Sequence, residues 1–136
     1  MTNLTSDQLH FFHTFGYLLL RKFLTNSDIN KLSQELEIGL ADQYEPQRHT
    51  GNERLWTRMT DENTPYSASL MEDVRFLNPA QQICGEDVLG IGIDANRYVT
   101  DTGWHPDTGD EKQVAVKFIF YLDQVDGETG ALQVIP

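Results

Sequence analysis

The apolar positions of this chain follow two periods. Up to Cys84 most recur at helical spacing, and beyond it they alternate. Thr5 and Ser6 can cap a first helix, with Asp7 in its opening turn and Leu9, Phe12 and Phe15 on one face. Gly16 stands where a glycine stop belongs. The run 17–23 is apolar and bounded by that glycine and a polar cluster, which predicts a strand. Thr25-Asn26-Ser27-Asp28 then opens a second helix. Its stripe is Ile29, Leu32, Leu36 and Leu40, with Glu35 and Glu37 assigned to a solvated face.

Between Asp42 and Ser69 the periodicity lapses, apart from a short strand around 55–59. The stretch holds Arg48, His49, Arg54, Trp56 and Arg58. It reads as a surface connection, or as a substrate-facing lid in which Arg54 and Arg58 contact an anion. Leu70, Val74, Leu77 and Ile83 predict helix over 70–84, broken or divided by Pro79. After a turn at 85–87, residues 88–99 alternate: Ile91, Ile93 and Ala95 one way, Gly92, Asp94, Asn96 and Tyr98 the other. A turn at 101–103 and a polar loop at 108–112 follow. Residues 114–122 form the strongest strand pattern, 126–130 a hairpin-type turn, and 131–135 a further strand. Helices first and closely spaced strands after them predict a mainly β protein with N-terminal helices outside the sheet.

Composition narrows the class. The chain has 136 residues, 39% of them hydrophobic, which suits one globular domain. A net charge of −11 excludes a general binder of nucleic acid, which needs a basic footprint. Cys84 alone cannot form an intrachain disulfide, and no His or basic residue flanks it, so a buried inert thiol is preferred over a nucleophile. The opening residues lack a basic stretch followed by an apolar one. The longest apolar run, 17–20, is far too short to span a bilayer. A cytoplasmic protein without membrane contact is expected.

Candidate chemistry centres on Gly103-Trp104-His105-Pro106-Asp107, the one place where a histidine and a carboxylate stand two apart. In an extended segment such residues project to the same side. An imidazole and a carboxylate suit Fe(II), and two histidines with one carboxylate on one face of the metal leave positions for a co-substrate and dioxygen. The spacing alone is common. Its setting, after an alternating run and a glycine turn and before two further strands, gives it weight. His10 and His13 could also meet on one helix face, where surface histidines are preferred over a metal pair.

Several stretches together resemble the phytanoyl-CoA dioxygenase family of Fe(II)- and 2-oxoglutarate-dependent oxygenases. These are Leu4-Thr5-Ser6-Asp7-Gln8 with Phe11-Phe12 and Gly16-Tyr17-Leu18, then Asn96-Arg97-Tyr98, then Asp101 to Asp107, and then Gly130 to Pro136. The resemblance runs over essentially the whole chain. It implies a double-stranded β-helix (a jelly-roll, cupin-like fold), with 1–85 as a helix-rich part and 86–136 as the first barrel strands of one domain. It implies His105 and Asp107 as iron ligands, and a small organic substrate that is hydroxylated with 2-oxoglutarate as co-substrate. Halogenating relatives carry a small residue at the position of Asp107, so Asp107 points to hydroxylation. Asn96 and Tyr98 become candidate 2-oxoglutarate contacts. Trp104 either packs or touches the cofactor, and Lys117, on a face with Ile119 and Tyr121, either helps hold the co-substrate or stands exposed. The family's third ligand, a histidine, and the arginine that grips 2-oxoglutarate lie downstream, and no counterpart occurs here; His10, His13 and His49 all precede the pair. The chain therefore reads as C-terminally truncated, with a barrel whose open strand edges invite pairing with another chain. The alternative is a jelly-roll that has lost catalysis and serves as a binding or assembly module.

Overall fold

The computed structural model describes residues 3–41, 54–85, 87–97, 103–105 and 115–135. The chain divides into two compact units, one within Met1–Phe23, Glu72–Gly90 and Thr108–Pro136, the other within Leu24–Met71 and Ile91–Asp107.

In the first unit, α1 (Ser6–Phe15) begins at a capping box. The Thr5 hydroxyl accepts from the Gln8 amide, and the Gln8 side chain accepts from the Thr5 amide. Gly16, at φ 76°, closes the helix by donating to the Phe12 carbonyl. The helix α4 (Val74–Cys84) starts at Asp73, whose side chain accepts from the Arg75 amide, and ends at Gly85 with φ 75°. Pro79 lies inside α4; the chain breaks before it, at Asp73. The Gln82 side chain holds the Leu4 backbone, accepting from its amide at 2.7 Å and donating to its carbonyl at 3.3 Å. Phe76, buried, gathers Phe23 and Phe118 with ring centroids at 5.1 Å from each, both edge-on.

In the second unit, α2 (Asn26–Leu40) starts at Thr25, again with a capping box, here closed by Asp28. A two-stranded antiparallel ribbon packs against it: β1 (Leu55–Arg58) with β2 (Asp94–Arg97), Trp56 opposite Asn96 and Arg58 opposite Asp94. Leu55 and Thr57 turn inward, Trp56 and Arg58 outward. Gly39 admits the ribbon: a Cβ there would stand 2.9 Å from Thr57 Cγ2 and Oγ1. Leu32, Leu40, Met59 and Leu70 are buried. The short helix α3 (Pro65–Ser69) and a 3₁₀ turn (Leu70–Glu72) complete the described elements.

The expected jelly-roll is overturned. Among the described residues 42% are helical and 8% are in strands, and the only sheet is the four-residue pair β1–β2. Among the described residues, 115–121 and 131–135 form no ladder with one another or with others, and of the described part of the 88–99 run only Asp94–Arg97 is strand. Among the described residues, 86–136 supply one strand of the two-stranded ribbon, β2. Alternation reports an extended segment with one sheltered side; it does not say what shelters it. Here Phe118 and Phe120 turn toward Phe76 of α4, so a helix covers that side of the segment. The 17–23 run is likewise no strand: Arg21 and Lys22 form a turn, with Lys22 at φ 56°.

Candidate functional site

His105 is exposed, and its Nδ1 lies 2.7 Å from the Gly103 carbonyl oxygen. A carbonyl oxygen only accepts, so Nδ1 carries a proton, and in the neutral ring the lone pair is on Nε2. Metal-bound histidines are commonly oriented this way, with one ring nitrogen donating to a carbonyl and the other facing the ion. Gly103 and Trp104 are exposed as well, Trp104 at 66%, so it does not pack as one reading held. Asp107 and Tyr98 lie outside the described residues, as do Arg48 and His49. Among the described residues, no three His, Cys, Asp or Glu side chains come close enough together to hold a metal ion.

Asn96 stands on the outer face of the ribbon. Its Oδ1 accepts from Arg54 Nε at 2.7 Å and its Nδ2 donates to Asp94 Oδ2 at 3.3 Å. That same Asp94 oxygen accepts from Trp56 Nε1 at 3.0 Å. Arg54, Trp56, Asp94 and Asn96 thus form one cross-strand hydrogen-bonded row. Antiparallel register brings it about, because Trp56 and Asn96 are direct partners. Arg54, an anion contact in the lid reading, therefore has a carboxamide neighbour; Arg58 is exposed on the same face. Lys117 is exposed on the extended 115–121 segment, beside Ile119 and Tyr121, which are also exposed. His10 and His13 do share a face of α1, where they line an open depression of about 400 Å³ with Ser6, Leu9 and Thr14.

The polar cluster that sequence reasoning missed is buried. Glu35, assigned to a solvated face, is only 7% exposed. Its Oε1 accepts from the Tyr66 amide at 2.7 Å, and its Oε2 accepts from the Ser67 amide at 2.7 Å and the Ser67 hydroxyl at 2.5 Å. Thr64, at the start of α3, makes no side-chain cap, so a carboxylate from α2 does the capping. Asp28, also buried, accepts from the Tyr66 hydroxyl through Oδ1 and from the Thr25 amide and hydroxyl through Oδ2. The signal was present: Asp28, Leu32, Glu35 and Gly39 recur at offsets of four, three and four, a second stripe beside the apolar one. Glu35 and Asp28 Oδ1 hold α2 to α3 while Asp28 Oδ2 caps α2, which makes the cluster a structural joint.

No family model, no curated protein and no solved structure matches this chain.

Proposed function

We propose that this chain carries the proximal part of an Fe(II)/2-oxoglutarate-dependent dioxygenase site acting on a small organic substrate, with His105 and Asp107 as ligands. The observation that supports the reading is the Nδ1 hydrogen bond from His105 to Gly103, which turns Nε2 into the donor atom. Imidazole nitrogen with carboxylate oxygen is a donor set that suits Fe(II). Bound iron and 2-oxoglutarate supply oxygen activation, in which the co-substrate loses carbon dioxide and one oxygen atom enters a substrate C–H bond. The part of this chain is to bind and orient. His105 presents one nitrogen, and Gly103 fixes its tautomer. Asp107 adds a negative charge that partly offsets that of the metal. No histidine follows His105 in these 136 residues, so they contribute two of the three ligands such a site uses.

Anaerobic titration with Fe(II), followed by 2-oxoglutarate, tests this. The expected result is metal binding that His105→Ala abolishes, and a visible band that needs both additions and bleaches when oxygen is admitted. Equal iron binding by His105→Ala, or no band at saturating iron and 2-oxoglutarate, overturns it.

The second reading is a non-catalytic assembly module. It is favoured by the exposed apolar side chains of the C-terminal segments: Ile119, Tyr121, Leu132 and Val134.

A further inference from the structure

We propose that His10 and His13 of α1 form a surface site for a divalent cation of the zinc class, each giving one imidazole nitrogen. The inference is independent of the iron reading and uses residues of the first unit alone.

His10 and His13 stand three apart on a regular helix, which sets their Cβ atoms about 5–6 Å apart on one face. A tetrahedral zinc ion holds its nitrogens at about 2.0–2.1 Å, and hence about 3.3 Å from one another. Two imidazoles meet that separation by converging about 2 Å over the length of their side chains. Both rings line the same open depression of about 400 Å³, with Ser6 one turn before His10 and Thr14 one turn after it. All four residues are exposed, so an ion reaches them without any part of the fold opening. The helix beneath is fixed at both ends. The Thr5–Gln8 capping box holds its start, and the Gly16 amide on the Phe12 carbonyl closes its end, so both ligands sit on one ordered turn.

The donor atoms select the ion. Imidazole nitrogen suits zinc, copper and nickel, whereas magnesium and calcium take oxygen ligands. Among the described residues no third His, Cys, Asp or Glu joins the pair, so the site is a two-ligand one that exchanges its ion readily. Water completes the coordination. Ser6 and Thr14 border the depression with hydroxyl oxygens that can accept from metal-bound water, the Thr14 proton being given to the His10 carbonyl at 2.8 Å. Two electrostatic features favour a cation here. His13 lies in the last turn of α1, so the ion faces the negative end of the helix dipole. The net charge of −11 draws cations toward the chain as a whole.

Titration with zinc chloride, followed through the imidazole ring protons by NMR, tests the proposal, because each histidine reports for itself. The expected result is that the His10 and His13 signals shift together with one midpoint, and that magnesium chloride moves neither. His10→Ala weakens the response of His13 by about tenfold or more, and His13→Ala does the same to His10, since a tethered pair becomes a single ligand. In His105→Ala both rings respond as before, which separates this site from the proposed iron ligands. His10 and His13 are exposed, and an unchanged circular dichroism spectrum confirms that the variants fold. Separate midpoints for the two rings, an undiminished response of either ring when the other is removed, a response lost with His105, or no response of either ring at millimolar zinc overturns the proposal.

Discussion

Replacing Glu35 by alanine removes an acceptor from three donors at once. Two of these, the Tyr66 and Ser67 amides, begin α3, and Ser67 is fully buried, so water cannot take the place of the lost oxygens without opening the joint. An amide left unsatisfied in the interior costs about 1–3 kcal/mol. The helix start also loses a facing carboxylate, a further ~1 kcal/mol. The hydroxyl of Ser67 can rotate, so its loss adds little. The sum is about 4 kcal/mol, in the range for breaking a buried charged hydrogen-bond set from one side. Against a usual total of about 5–15 kcal/mol this is a large part of the stability. Urea unfolding followed by circular dichroism should show a midpoint lowered by about 2–3 M, taking a slope of about 1.5 kcal/mol per molar. Glu37→Ala is the control two residues away. It breaks only the ion pair with Arg97, whose side chains are 63% and 40% exposed for Glu37 and Arg97, and should cost under about 1 kcal/mol. Glu35→Gln should fall between them, since it keeps one oxygen but turns an amide nitrogen toward a donor. If Glu35→Ala is no worse than Glu37→Ala, the buried joint between α2 and α3 does not hold the unit together.

Two further outcomes follow from local geometry, beside that for His105. Gly39→Ala would ordinarily strengthen a helix by about 1 kcal/mol, but the new methyl meets Thr57 at 2.9 Å; overpacking costs about 1–3 kcal/mol, so the net effect in the same urea assay should be destabilising. A stabilised variant would show that the ribbon can move off α2 freely. Asp126 is held below its ordinary carboxylate pKa, first by the Glu128 amide, then by the Thr129 hydroxyl and amide. Its unfolded value is the higher one. The contribution of the turn is therefore complete above the ordinary carboxylate range and is lost as pH falls through the lowered value. Carboxyl chemical shifts against pH should place the Asp126 midpoint below that of a random-coil aspartate; a midpoint at or above it would show that the turn is not closed by these bonds.

Local sequence determined the local structure. Thr5 with Gln8, Thr25 with Asp28, and the stops at Gly16 and Gly85 lie within a few residues of the bonds they make, and α1, α2 and α4 follow from them. The same holds for the 126–131 turn, closed by Asp126 and Thr129, and for the tautomer of His105, set by a carbonyl two residues away. What lay beyond reach was the partner of each extended run. Alternation at 115–121 marks a sheltered side, but a strand exists only when another backbone completes its hydrogen bonds, and among the described residues what shelters this one is α4. The burial of Glu35 was hidden for a related reason. A glutamate on a helix reads as solvated until the missing cap on α3, thirty-odd residues away in sequence, shows which amides it serves. Tertiary structure made those decisions because a backbone donor or acceptor must find a partner somewhere, and the sequence of one segment does not say where.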